Sequence, residues 1–188
     1  MTPLDQFREK IVVADTREIE VFRMDNTQES AGIPDMRKHV GLGSCNCCDY
    51  FFIHNNKIVL IEETRLMDTI ENLKQDCSYL EIEHLRDFVS KYVRQENYVK
   101  VYGALLVLCR LAGQYGEVSK LIKDKKHDFY LVIEGIESEE ARSLFDTLRD
   151  SLFEQLRSVL TKNVIDKIEV MPSTEHLASR LSENASAP

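Results

Sequence analysis

The sequence lacks several features that would assign it to a class directly. No stretch approaches the roughly 20 apolar residues that a membrane span requires, and its first segment, MTPLDQFREK, lacks the apolar run of a secretion signal. Lys and Arg number 24 against 32 Asp and Glu, which gives a formal net charge of -8. This balance argues against a surface that binds nucleic acid everywhere, although it allows a local basic groove. We expect a soluble, cytoplasmic domain that does not enter a membrane.

Signatures of common enzyme classes are missing as well. GLGS at 41–44 lacks the lysine and the strand-to-helix context of a phosphate-binding loop, and no G-x-S-x-G sequence marks a hydrolase nucleophile. No repeat and no linker rich in Gly, Ser or Pro divides the 188 residues. We therefore expect one domain over 1–172, followed by a short helix and a disordered tail over 173–188.

Cysteine is present in an odd number, which favours reduced thiols in a reducing compartment. The cysteines are Cys45, Cys47, Cys48, Cys77 and Cys109. Cys109 lies in the apolar run ALLVLCRLA and is expected in the core. The cluster SCNCC could form a zinc or iron–sulfur site that Cys77, His39 or His54 completes. The C-x-C-C spacing is not the usual C-x2-C, because neighbouring strand residues point to opposite faces, and we favour incidental cysteines.

Hydrophobic spacing predicts an alternation of helices and strands. The predicted order is a helix over 4–14, strands over 18–24, 48–54 and 57–63, a helix over about 79–112, a strand over 127–136, a helix over 138–160 and a strand over 166–172. Asn55 and Asn56 predict a tight hairpin turn, because Asn tolerates positive φ angles. A hairpin followed by strand–helix–strand units predicts an α/β domain with a mixed central sheet and helices on both faces.

Acidic residues flank this hairpin at its open end. Asp49 stands at the start of the first strand, and Glu62 and Glu63 stand at the end of its partner. The antiparallel pairing therefore predicts that these carboxylates are close neighbours. Carboxylates packed together are unfavourable unless a cation neutralises them, and two carboxylates are what Mg2+ needs when phosphate and water complete its shell. The alternative is a solvated strand end at which Arg65 or Lys57 forms ion pairs with these carboxylates.

The segment CDYFFIHNNKIVLIEET, followed by a helix, an apolar strand, a helix and a strand, resembles the PD-(D/E)xK nuclease superfamily. The resemblance covers roughly residues 5–172 and implies a restriction-endonuclease-like fold. It implies Asp49 and Glu62 as ligands of Mg2+ or Mn2+ in hydrolysis of DNA or RNA phosphodiesters. The lysine of the motif falls on Thr64, which departs from the family pattern.

Several residues are candidates to complete this site. Arg65 or Lys100, and less readily Lys74, are candidates for the missing positive charge, by analogy with divergent members whose lysine has migrated. His39 matches in type the histidine of cap-snatching-type members, and Glu20 is a candidate additional acidic ligand. These assignments follow from the resemblance.

The sequence is compatible with two functions of different classes. The first is a divergent metal-dependent nuclease-like domain whose substrate is nucleic acid. The second is a non-catalytic assembly or regulatory subunit of the same fold, with a protein partner or a homo-oligomer, which the missing lysine and the amphipathic helix at 138–160 favour. A cysteine-dependent metal or redox protein that uses SCNCC is a third and weaker class.

Overall fold

A computed structural model describes residues 2–14, 17–26, 32–65, 68, 70, 75, 82–136, 138–160, 164–173 and 177. The strands are β1 Arg8–Ala14, β2 Arg17–Arg23, β3 Tyr50–His54, β4 Lys57–Arg65, β5 Lys126–Glu134 and β6 Lys167–Met171. The helices among these residues are α1 Met36–His39, α2 Ile82–Gln114, α3 Gly116–Ile122 and α4 Glu139–Leu160. No helix in the described part of the chain is both long and apolar enough to span a membrane.

The strands form a single six-stranded sheet in the order β1-β2-β3-β4-β5-β6. Neighbouring strands are antiparallel from β1 to β4, and β4, β5 and β6 are parallel. In the first half, short connections join β1 to β2 and β3 to β4, and the longer segment 24–49, which contains α1, joins β2 to β3. In the second half, α2 and α4 carry the chain back across the sheet. The predicted α/β architecture with a mixed sheet is therefore confirmed.

The predicted hairpin is also confirmed. Tyr50 pairs with Ile61 and His54 pairs with Lys57 across β3 and β4. Asn55 adopts a positive φ of 51° in the turn. This register fixes which residues meet at the open end of the hairpin.

The opening helix predicted over 4–14 is wrong. Residues Asp5–Phe7 form a single 3-10 turn, which buries Phe7, and the chain then enters β1. Ile11 pairs with Ile19 of β2, and Val12 is 63% exposed on this edge strand. The β-branched residues of β1 favour extended backbone, and this preference prevails over the helical spacing of the preceding apolar residues.

The long helices lie on one face of the sheet. Buried residues of α2 and α4 pack in one cluster with alternate residues of β4 and β5, such as Leu60 and Leu131. Ser138 caps α4, with its Oγ accepting a hydrogen bond from the Ala141 N–H at 3.0 Å. Because β4, β5 and β6 follow in one direction, two right-handed crossovers place both helices on the same face.

The opposite face has its own buried cluster. Val59, Ile61 and Tyr130 pack there with Leu177, which follows β6 in the chain. The long helices α2 and α4 thus cover one face, and on the other face the structure describes one helical residue, Leu177. Most of the segment 173–188 lies outside the described residues, as do Lys74 and Cys77.

Candidate functional site

The hairpin register places Asp49 and Glu62 next to each other. Asp49 immediately precedes Tyr50, which pairs with Ile61, so Asp49 lies opposite Glu62. Asp49 Oδ2 accepts a hydrogen bond from the Glu63 N–H at 2.8 Å, and its carbonyl accepts one from the Met24 N–H at 2.8 Å. The Asp49 segment is thereby attached to β4 on one side and to the end of β2 on the other.

Glu62 is a buried carboxylate beneath α2. It lies on the same side of β4 as Leu60 and is only 2% exposed. Its Oε1 accepts a hydrogen bond from Lys100 Nζ, whereas its Oε2 is buried with no hydrogen-bond partner among the described residues. Burial, together with the neighbouring Asp49, raises the pKa of Glu62 to about 8.

The ammonium group of Lys100 reaches this carboxylate from α2. Its side chain is 25% exposed and pairs with Glu62 and, at 3.3 Å, with Glu96 one turn earlier. Burial alone would lower the pKa of Lys100, but the adjacent Glu62 carboxylate reverses this and raises it. Lys100 therefore stays protonated over the physiological pH range.

A close helix contact sets the position of Lys100. A Cβ atom added at Gly103 would lie 1.8 Å from the Asn46 carbonyl oxygen. Because only glycine lacks this atom, α2 can lie against the loop that leads to Asp49. Gly103 follows Lys100 by one turn, so the same contact brings the lysine to the hairpin.

Asp49 also has a raised pKa. Burial is the main cause, and the hydrogen bond from the Glu63 N–H and the nearby Lys100 offset part of it. The charge of Asp49 also raises the pKa of Glu62, and the charge of Asp25 raises that of Asp49. Two carboxyl groups in a partly enclosed site are thus held toward their neutral forms unless a further positive charge enters.

Glu63 occupies the other side of β4. Burial raises its pKa to about 7, and the charges of Asp49 and Glu134 add to the effect. Glu63 lines an open cavity of about 570 Å³ with Thr64, Arg65, Glu134 and Gly135, at the carboxyl ends of parallel β4 and β5. The cleft lies on the opposite side of β4 from Glu62 and is lined mainly by polar groups.

A buried arginine orders the loop before β3. Arg37 pairs with Asp25 at 2.6 Å and with Asp35 at 2.8 Å. Its Nη1 also donates to the Cys45 carbonyl at 3.2 Å. Since Asp25 follows β2 next to Met24, these bonds connect α1, the cysteine loop and the segment that holds Asp49.

The remaining predicted site residues occupy other positions. His39 Nε2 is 2.8 Å from the Tyr115 hydroxyl, and the Glu20 carboxylate pairs with Arg8. Neither makes a hydrogen bond or ion pair with Asp49 or Glu62 in the described part of the chain. Arg65 is 75% exposed at the end of β4 and lies 3.8 Å from Asp68. Among the candidates for the missing positive charge that the structure describes, Lys100 is the one that contacts Glu62.

The alternative of a solvated strand end does not hold for Glu62, because this carboxylate is almost fully buried. Lys57, proposed as a partner in that alternative, pairs instead with Asp128 at 2.7 Å, at the opposite end of the sheet. The acidic end of the hairpin is therefore an enclosed site with its own counter-charge.

The cysteine cluster is mostly internal. Cys47 and Cys48 are buried, and burial raises the pKa of both thiols, which disfavours the thiolate form that binds metals. Cys109, expected in the core, is exposed, because it lies on the outer side of α2. Within the described ranges, no group of three or more His, Cys, Asp or Glu side chains is arranged to hold a metal ion. Cys77 lies outside those ranges.

Sequence reasoning missed Asp25, Arg37 and Glu96 as neighbours of the site. Glu96 has a local signal, because Glu and Lys four residues apart on a helix form an ion pair. Asp25 and Arg37 have no such signal, since their pairing depends on how the loop before β3 folds.

Comparison with protein-family models, with curated proteins and with solved structures finds no match to this chain.

Proposed function

We propose that the protein is a divergent, restriction-endonuclease-like domain that hydrolyses DNA or RNA phosphodiesters with the aid of Mg2+ or Mn2+. The observation that carries this proposal is the meeting of Asp49, Glu62 and Lys100 at one end of the hairpin. Two carboxylates and one ammonium group are the set that the resemblance to PD-(D/E)xK nucleases requires. Lys100 on α2 takes the place of the lysine that Thr64 replaces.

The donor set fits a hard divalent cation. Glu62 Oε2 is a buried oxygen with no hydrogen-bond partner among the described residues, and Asp49 lies beside it. Mg2+ is commonly held by one or two protein carboxylates, with substrate phosphate and water as the other ligands. A bound ion would supply the positive charge that allows both carboxylates to ionise, and it would activate water for attack on phosphorus.

Lys100 contributes charge rather than base catalysis. Because its pKa is raised, the ammonium group keeps its proton and can stabilise negative charge that develops on a phosphate oxygen. Its contact with Glu62 holds it in place before substrate binds.

A thermal melt of metal-stripped protein, with and without millimolar Mn2+ or Mg2+, tests the metal site. Binding at 100 times the dissociation constant adds about 2.7 kcal/mol, which raises the Tm of a domain of this size by roughly 5 to 10 °C. We expect this shift in the wild type and in Glu154→Ala, whose carboxylate is exposed, but not in Glu62→Ala. No shift in the wild type, or an equal shift in Glu62→Ala, would contradict the proposed site.

Cleavage assays on single-stranded DNA, double-stranded DNA and RNA then test the chemistry. We expect metal-dependent cleavage by the wild type and its loss in Asp49→Asn and in Lys100→Met. Cleavage by Lys100→Met at the wild-type rate would show that another group supplies the positive charge.

One observation favours the second candidate, a non-catalytic assembly or regulatory subunit. The Lys100 ammonium group already pairs with Glu62 without a metal ion, so the polar site can stabilise the fold alone. In that case Asp49→Asn is neutral or stabilising, because it removes carboxylate repulsion, and no cleavage is found with any substrate. The melt with Mn2+ separates the two candidates before any substrate is chosen.

A further inference from the structure

One side of α2 carries a stripe of side chains that faces away from the sheet. Its members recur at alternating intervals of four and three residues, which is the heptad spacing of helices that pack against each other. They are Phe88, Tyr92, Gln95, Val99, Tyr102, Leu106, Cys109 and Gly113. All are exposed except Tyr102, which is half-buried. We call this set the α2 stripe.

Apart from Tyr102, which packs against the core, the α2 stripe is not used by the protein's own core. The sheet-facing side of α2 buries other residues, among them Val101, Leu108 and Leu111. Most of the large apolar side chains that the described residues expose lie on α2, namely Phe88, Tyr92, Tyr98, Val99 and Leu106. An apolar concentration of this kind on one helix marks an interaction surface.

The amphipathic helix at 138–160, which the sequence suggested as a contact surface, does not provide one. Its apolar stripe, including Leu148, Leu152 and Leu156, is buried in the protein's own core. The outer side of α2 is therefore the better candidate for an interface.

We infer that the α2 stripe binds the α2 stripe of a second copy of this chain in antiparallel orientation. The stripe changes from large side chains at its start, Phe88 and Tyr92, to small ones at its end, Cys109 and Gly113. In the antiparallel register that aligns the full stripe, Phe88 faces Gly113 of the second copy and Tyr92 faces Cys109. Each large residue then packs against a small one, as close packing requires.

The centre and the flanks of the stripe fit the same register. Val99 faces Tyr102 of the second copy and Gln95 faces Leu106. Of the charged residues that flank the stripe, Lys91 lies opposite Ala112 of the second copy and Arg110 lies opposite Val89. Glu96 lies opposite Gly103, which the loop at Asn46 of that copy covers. No repulsion between like charges therefore opposes this pairing.

A parallel pairing fits less well. It would place the large residues against each other and leave a gap between the small ones. It would add an ion pair between Lys91 and Glu96, but an exposed ion pair contributes little, and Glu96 already pairs with Lys100.

The size of the stripe predicts a reversible dimer. From Phe88 to Gly113 the helix rises about 37 Å, and a strip about 11 Å wide covers about 400 Å² on each copy. The total of about 800 Å² is below the roughly 1,200 Å² of a stable specific complex and in the range of weak, transient ones, so we expect weak association, in the micromolar range. The twofold axis passes next to Lys100, which places the two candidate sites on either side of it. This inference does not depend on the proposed function.

Sedimentation equilibrium between 1 and 200 µM tests the association. We expect a concentration-dependent dimer in the wild type, and at least a tenfold weaker one in Leu106→Glu. Leu121→Glu is the matched control, because Leu121 is similarly exposed (40% against 48% for Leu106) but lies on α3, and it should dimerise as the wild type does. A wild type that stays monomeric at 200 µM, or equal weakening by both variants, would overturn the inference.

Oxidative crosslinking, in a background with Cys45 and Cys77 replaced by Ser, tests the orientation. The antiparallel register separates the two Cys109 residues by about 25 Å along the helix, so Cys109 alone should give no crosslinked dimer. Tyr92→Cys should give one, through Cys109 of the second copy, whereas Asp150→Cys on α4 should not. A Cys109–Cys109 dimer in the background protein, or no crosslink in Tyr92→Cys, would overturn the antiparallel arrangement.

Discussion

Replacement of Glu62 by Gln should change how the stability of the protein depends on pH. In the folded state, burial and Asp49 raise the pKa of Glu62 from 4.5 to about 8. Between these values the folded state holds a proton that the unfolded state has released, so unfolding releases a proton and a rise in pH favours it. The contribution of Glu62 to the free energy of unfolding is therefore highest below pH 4.5 and falls until the pH passes about 8.

The size of this effect follows from the same pKa. At about 1.36 kcal/mol for each pKa unit, the rise from 4.5 to about 8 corresponds to at most about 5 kcal/mol. The contact with Lys100 is already included in that pKa. We expect the wild type to lose roughly 3 to 5 kcal/mol more than Glu62→Gln between pH 4.5 and 9. The variant should keep a smaller dependence, because the pKa values of Asp49 and Glu63 are raised in the same direction.

Urea unfolding at pH 4.5, 6, 7.5 and 9 in metal-free buffer measures this difference. Glu154→Gln, which removes an exposed carboxylate on α4, serves as the control and should follow the wild type. A Glu62→Gln profile that matches the wild type to within about 0.5 kcal/mol would refute the assignment of the raised pKa to Glu62. In the wild type, saturating Mn2+ should weaken the dependence, because a bound cation favours the ionised carboxylates.

Two further predictions concern the contacts that assemble the site. Gly103→Ala should destabilise the protein by about 2 kcal/mol or more, because its Cβ would overlap the Asn46 carbonyl and push α2 away from the loop. Arg37→Met should cost about 3 to 5 kcal/mol, because it leaves the buried Asp35 carboxylate without its partner. Both are measured by urea unfolding at pH 7.

Each of these changes has a control on the same chain. Gly116→Ala adds a Cβ where nothing lies within 4 Å and should change stability by less than about 1 kcal/mol. Arg157→Met removes a largely exposed side chain and should cost less than about 1 kcal/mol. If either control costs as much as its partner, the close contact or the buried ion pair is not what stabilises the protein.

Local contacts of the site could be predicted from the sequence, and distant ones could not. Asp49 and Glu62 belong to one hairpin, whose turn and register follow from Asn55 and from the alternation of apolar residues. Lys100 is distant from both in the sequence. Its position at the site depends on the close packing of Gly103 against the loop at Asn46. The sequence could therefore name Lys100 only as one of several alternatives.

The errors in the fold have similar physical causes. At the start of the chain, the helical spacing of Leu4 and Phe7 is real, but a single 3-10 turn is enough to bury Phe7, and the β-branched residues that follow form an edge strand. Cys109 was expected in the core because its neighbours in sequence are apolar. On a helix with one buried side, however, position around the axis decides exposure, and Cys109 lies on the outer side.

The topology of the sheet has a consequence for the order of folding. Asp49 and Glu62 meet when a short hairpin closes, which takes microseconds, whereas β4 and β5 pair over a long loop, as in the pair Lys57 and Lys126. The carboxylates therefore come together before α2 delivers Lys100 as their counter-charge. At neutral pH, repulsion between the Asp49 and Glu62 carboxylates should slow the early steps of folding. These steps should be faster in acid, where the same carboxyl groups are protonated.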